Sequence, residues 1–135
     1  MRKYLVGTAM FLSLAASAMA QQGGILFPGT TMMPGQQAWS SDGRYHLDFQ
    51  RDGNLVLYNN YGTVMWATET NGAPVSELRM QTDGNLVMYG NGGVIWASNT
   101  AGHPGAALRV QDDGNVVIYS RGQRVLWASE SNGNG

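Results

Sequence analysis

The stretch Gln50-Arg51-Asp52-Gly53-Asn54-Leu55-Val56-Leu57-Tyr58 decides the fold, because the chain repeats it. It returns as Gln81-Thr82-Asp83-Gly84-Asn85-Leu86-Val87-Met88-Tyr89 and as Gln111-Asp112-Asp113-Gly114-Asn115-Val116-Val117-Ile118-Tyr119. All three fit Q-x-D-G-N-[LV]-V-x-Y, and their starts lie 31 and then 30 residues apart. Self-similarity at a fixed period marks like units that bury their apolar faces only against one another.

Outward from the motif, the period is two. Tyr45, Leu47 and Phe49 alternate with His46, Asp48 and Gln50; Leu78 and Met80 alternate with Arg79 and Gln81; Leu108 and Val110 alternate with Arg109 and Gln111. This is strand alternation, with one apolar and one polar face. A polar, Gly-containing turn follows each motif Tyr. A short apolar run then ends in Trp-Ala-[Thr/Ser], at Trp66, Trp96 and Trp127. Each repeat is therefore expected to hold at least three short antiparallel strands, an all-β architecture. The three Trp residues, at matching positions and beside aliphatic neighbours, are expected to fill a common axis, not to stack on a ligand. Ahead of the repeats, Ile25-Leu26-Phe27 reads as a strand, and Pro28-Gly29 and Pro34-Gly35 as turns.

Inside the motif, Asp-Gly is a hairpin signal. A three-residue loop over Asp52-Gly53-Asn54 sets Gln50 opposite Val56, Phe49 opposite Leu57 and Asp48 opposite Tyr58, with Asn in the left-handed position. Gln50, Val56 and Tyr58 then share one face, and Phe49, Leu55 and Leu57 the other. The analogous registers pair Met80 with Met88 and Val110 with Ile118. Each tip gathers a carboxylate acceptor, two amides that both donate and accept, and a phenol that does either. With one Val as an apolar floor, this is an array for the neighbouring hydroxyls of a pyranose. Turn chemistry alone does not require Gln two residues before Asp, or Tyr four after Asn, three times over.

Composition narrows the class. The chain has 135 residues, enough for one modest core. Residues 1–20 have the form of a signal peptide: Arg2-Lys3, an apolar run, and the small-x-small site Ala18-Met19-Ala20. The expected domain is 21–135, in a secreted or otherwise extracytoplasmic protein. Without the leader, six basic residues face nine acidic ones, a net charge of about −3, and no lysine is left. That charge excludes an electrostatic footprint for nucleic acid or anionic lipid. No further stretch is apolar enough to enter a membrane. Cysteine is absent, so no disulfide is available.

The Q-x-D-x-N-x-V-x-Y repeats resemble the mannose-binding motif of the bulb-type lectins, the monocot or snowdrop-type family. The likeness spans nearly the whole of 21–135 and includes the Trp-Ala-[Ser/Thr] strands. It implies a β-prism II: three antiparallel four-stranded sheets about a pseudo-threefold axis with buried Trp at its centre. By the same resemblance, the carbohydrate contacts fall on Gln50, Asp52, Asn54, Val56 and Tyr58. They fall again on Gln81, Asp83, Asn85, Val87 and Tyr89, and on Gln111, Asp113, Asn115, Val117 and Tyr119. The motif Asp and Asn would hold the axial O2 of mannose, Gln O3, Tyr O4, and Val the C3–C4 edge. Plant members commonly carry a cysteine pair where this chain has Gly53 and Ser76, so lower stability or a non-plant origin is expected. The implied partner is a mannose-containing glycan, with a homodimer by exchange of the C-terminal strand (residues 124–129) as a possibility. No cofactor is implied.

Other readings fare worse. A glycosidase needs paired carboxylates, and the only adjacent acids, Asp112 and Asp113, fall on opposite faces. His46 and His103 are isolated in the sequence, are read as ordinary surface residues, and offer no metal set or triad. A β-trefoil would carry longer repeats, and three repeats are too few for a propeller. The remaining alternative is a prism that binds proteins, its sugar motifs vestigial.

Overall fold

The computed structural model describes residues 22–133, so the leader lies outside the described residues. A short 3-10 turn, Gln22–Gly24, leads into twelve strands. They are β1 (Ile25–Leu26), β2 (Thr31–Met32), β3 (Gln37–Trp39), β4 (Tyr45–Phe49), β5 (Leu55–Asn59) and β6 (Val64–Ala67). The rest are β7 (Glu77–Met80), β8 (Leu86–Gly90), β9 (Gly93–Ala97), β10 (Ala107–Val110), β11 (Val116–Tyr119) and β12 (Val125–Ala128). They form three four-stranded antiparallel sheets, in the orders β3-β4-β5-β6, β2-β7-β8-β9 and β1-β10-β11-β12.

Each repeat thus supplies three strands, and the opening segment deals one further strand to each sheet in turn. That segment has its own six-residue period. Leu26, Met32 and Ala38 are buried, while Phe27, Met33 and Trp39 each stand exposed one residue later. After Phe27 and Met33 the chain turns through Pro28-Gly29 and Pro34-Gly35, where Thr30 N and Gln36 N bond back to Phe27 O and Met33 O. Gly29 and Gly35 take positive φ (89° and 98°), as the third residue of a type II turn demands.

The core lies where the three sheets face one another. Phe49, Leu47, Leu55 and Leu57 of the first sheet meet Leu78, Met80 and Met88 of the second and Leu108 and Ile118 of the third, all at most 1% exposed. Burying each such side chain contributes about 1.5–3 kcal/mol. The Trp triad does meet around the axis, with centroids 5.3–6.0 Å apart in edge-to-face pairs. Contrary to expectation, these Trp residues are only partly buried and pack against a core that is mostly aliphatic. The consecutive apolar pairs Met65-Trp66, Ile95-Trp96 and Leu126-Trp127 would break strict alternation. A register shift resolves the conflict: Leu57 pairs Trp66 while Tyr58 pairs Val64, leaving Met65 as the extra residue. The same shift recurs beside Tyr89 and Tyr119.

The C-terminal strand β12 pairs with β11 of its own chain, completing the third sheet.

Candidate functional site

Each motif folds as a hairpin tip, but in a register two residues from that expected. Phe49 pairs Leu55, Asp48 pairs Val56 and His46 pairs Tyr58. Met80 pairs Leu86, and Val110 pairs Val116. Gln50 N bonds to Asn54 O at 2.9 Å and Gly53 N to Gln50 O at 3.1 Å, so the loop is Arg51-Asp52-Gly53. The left-handed position belongs to Gly53, Gly84 and Gly114 (φ 97°, 98° and 91°), not to Asn. Glycine wins it for a second reason: a Cβ on Gly53 would lie 2.5 Å from Ala73 O, and one on Gly84 2.4 Å from His103 O. A slip of two preserves every face, so the inward and outward sets stay as expected.

On the outer face the polar residues do come together. Gln50 Nε2 donates to both Asp52 oxygens at 3.1 and 3.2 Å, and its Oε1 accepts from the Tyr58 hydroxyl. Gln81 Nε2 likewise donates to Asp83 at 3.1 and 3.2 Å, and Tyr89 donates to Gln81 Oε1. In the third copy the Gln111 amide meets the Tyr119 hydroxyl. Val56, Val87 and Val117 share this face and are only 2% exposed. The floor is largely roofed by its neighbours. Asp52, Asp83 and Asp113 each accept the backbone N–H of the motif Asn at 2.9–3.0 Å. That bond fixes one carboxylate oxygen in the turn.

The motif Asn has a structural task absent from the sequence reading. Asn54 Oδ1 accepts from Thr68 Oγ1 (3.0 Å) and Thr70 N (3.2 Å). Asn85 Oδ1 accepts from Ser98 Oγ and Thr100 N, both at 3.1 Å. Asn115 Oδ1 accepts from Ser129 Oγ (3.1 Å), Glu130 N (3.0 Å) and Ser131 N (3.4 Å). The second hydroxyl of each pair closes the latch: Thr70, Thr100 and Ser131 donate to Gly53 O, Gly84 O and Gly114 O at 2.6–2.7 Å. Trp-Ala-[Thr/Ser]-x-[Thr/Ser] is thus part of each tip, and its recurrence was the available signal. With Oδ1 committed inward, each Asn presents Nδ2 as a donor. Each tip then offers an Asp acceptor, an Asn donor and the acceptor lone pairs of a Tyr oxygen, a set matched to sugar hydroxyls.

An open groove lies beside the motif Gln of each tip. It measures about 210 Å³ beside Gln50, lined by Gln37, Asp48 and Arg51. It is about 470 Å³ beside Gln81 and Asp83, with Arg79 and Thr31, and about 320 Å³ beside Gln111 and Asp113, with Arg109 and Ser41. The first tip has a further feature. His46, expected to be an isolated surface residue, stacks between Trp39 and Tyr58 and bonds to Asp48.

No family model matches the chain. A mannose-specific lectin of Narcissus pseudonarcissus is 46% identical over 66 residues, 48% of this chain and 58% of that protein. The chain spans about half the length of the curated relatives it matches. Among solved structures, a monomeric monocot mannose-binding lectin from Gastrodia elata is 40% identical, with a TM-score of 0.72 over 81% of this chain and 98% of that one. The chain belongs to the bulb-type lectin family. The snowdrop (Galanthus nivalis) mannose-specific agglutinin, solved with methyl-α-D-mannoside, is similar at 42% identity, with a TM-score of 0.66 over 81% of this chain and 97% of that one. The family fold is the β-prism II, and the three sheets described above are its three faces. The relatives named here are lectins, which are binding proteins and not enzymes.

Proposed function

We propose that this bulb-type lectin chain binds mannose and α-mannosides at its three hairpin tips, without catalysis. One observation carries the reading: Gln, Asp, Asn and Tyr gather on the outer face of each sheet, bonded to one another and open to solvent on one side. The roles follow from which atoms remain. Asp and Asn grip one hydroxyl as acceptor and donor, Gln and Tyr take its neighbours, and Val lies beneath. An axial hydroxyl held by two groups separates mannose from its equatorial epimer, which would leave both groups unpaired. Sites this open compete with water, so each is expected to bind at about millimolar Kd, with avidity from three tips on a dense glycan surface.

We further propose that the protein is secreted, with cleavage after Ala20, as the leader-like residues 1–20 indicate. Exchange of β12 between two copies would bring the segment latched to Asn115 from the partner copy, so a dimer of that kind would carry six tips, each third one built from both chains. Calorimetry on residues 21–135 tests the sugar reading. Heat with methyl α-mannoside and none with methyl α-glucoside is expected. Silence toward mannosides at tens of millimolar would reduce the tips to turn chemistry and favour the protein-binding alternative.

A further inference from the structure

We propose that the first tip is one half of a longer site, in which the indole of Trp39 carries a second pyranose ring of the same glycan. The inference rests on the sugar-binding reading above and extends it.

Trp39, His46 and Tyr58 are directly opposed residues on three neighbouring strands: Trp39 pairs His46, and His46 pairs Tyr58. Their rings form a continuous stack, with centroids 4.3 Å apart at 28° and then 5.4 Å apart at 27°. Tyr58 ends this row and also belongs to the tip, where its hydroxyl meets Gln50. Two strand spacings put the indole roughly 10 Å from the Tyr58 strand, a step that the next ring of a glycan chain covers.

The indole is held outward by design of the surrounding bonds. Trp39 Nε1 donates to Gln37 Oε1 at 3.1 Å, and Gln37 Nε2 donates to Asp48 Oδ2 at 3.1 Å. The other Asp48 oxygen meets His46 Nδ1 at 2.5 Å. The circuit therefore returns to the imidazole on which the indole rests. Even so, Trp39 stays 37% exposed. A ring fixed at its face and its edge loses little freedom when a ligand covers it. Its electron-rich face suits the weakly positive C–H face of a pyranose, whose hydroxyls remain free for solvent at the rim. The ligand class is an oligosaccharide of at least two pyranose units.

The other tips lack this row. In the second sheet Glu77 faces Tyr89 and pairs with Arg79 at 2.5 Å. In the third, Ala107 faces Tyr119. Met33 and Phe27, each one residue past the end of the corresponding strand, are exposed, but no ring connects them to the tip tyrosine.

The test silences the second and third tips with Asp83→Asn and Asp113→Asn, then titrates methyl α-mannoside and the α1,2-, α1,3- and α1,6-linked mannobioses. At least one mannobiose should bind about five-fold or more tightly than the monosaccharide. Trp39→Ala should bring that ratio to about one, while Trp39→Phe should retain part of it. Should Trp39→Ala fail to fold, Gln37→Ala, which releases the indole edge, should lower the same ratio. A monosaccharide that binds while no mannobiose gains, or a gain that survives loss of the indole, overturns the extended site and leaves the primary one standing. No binding by any of the four sugars overturns both.

Discussion

In the first sheet, the strand facing the motif tyrosine carries His46 and Asp48, and the edge strand carries Gln37 and Trp39. In the third sheet, the matching paired positions hold Ala107, Arg109 and Ile25, with exposed Phe27 two residues past Ile25. The tips themselves are nearly superimposable in their bonds: an Asp capping the Asn backbone, a Gln bridging to Tyr, a hydroxyl pair latched under the loop. The comparison separates two layers. Residues that close the turn and present the polar cluster recur three times, while residues that line its flank differ in size, charge and aromaticity. A sheet presents both layers on one face, so a flank can change without disturbing its tip.

The greatest loss is expected at the latches. Asn115→Ala removes an acceptor of three bonds, and Asn54→Ala an acceptor of two. At about 1 kcal/mol for each bond, with donors left unpaired, the expected losses are about 3 and about 2 kcal/mol. Urea unfolding of the two variants checks the order, and sugar titration should show the altered tip silent. Equal, near-zero costs would mean that the Asn oxygen does not hold the Trp-Ala-[Thr/Ser] strands at all.

That latch also marks where the sequence stops being legible. The three-fold architecture, the inward and outward faces and the membership of each tip follow from period two and from the repeat, because side-chain direction in a strand depends only on parity. The register needed one more fact. Asp-Gly-Asn and x-Asp-Gly both make three-residue loops, and crowding at Ala73 and His103 gives the left-handed place to Gly53 and Gly84. Nothing local to the motif reveals that contact. The origin of the fourth strands, the roofing of Val56 and the row from Trp39 to Tyr58 are likewise cross-strand facts between segments far apart in the chain. His46 looked isolated because its neighbours Trp39 and Tyr58 lie 7 and 12 residues away in sequence.

A smaller effect would sharpen the contrast of flanks. In the third sheet, Ala107→His places an imidazole opposite Tyr119, but Arg109 stands where Asp48 would orient it. The single substitution should therefore change mannobiose affinity at that tip little. Ala107→His with Arg109→Asp should raise it about three-fold through the added ring contact. Titration with the first and second tips silenced reads the difference. A gain from Ala107→His alone would show that the carboxylate is dispensable to the row, and that His46 needs no partner to stack.

The smallest effect concerns the loop just beyond Trp39. Asp42 Oδ1 accepts from Arg44 N and from Ser40 Oγ, each at 3.0 Å, and its Oδ2 pairs with Arg44 Nε at 2.7 Å. The same loop reaches the third tip, where Ser41 Oγ and Asp42 N donate to the Asp112 carboxylate. The Arg44 backbone N–H, then the Arg44 guanidinium and the Ser40 hydroxyl, hold the Asp42 carboxyl down from 3.8 to about 2. A carboxyl held lower in the folded chain than in the unfolded one stabilises the fold above the unfolded value and ceases to do so as pH falls through the folded one. The contribution is therefore complete above about pH 4 and fades between about 4 and 2. The group is solvent-exposed, so the change in global unfolding should be slight. Carboxyl NMR should find an Asp42 midpoint near 2, with amide protection of Arg44 lost over the same range and unaffected by acid in Asp42→Asn. A midpoint at the ordinary aspartate value would mean that the loop is not clamped in solution, and that the edge of the first flank is held by the Trp39 bonds alone.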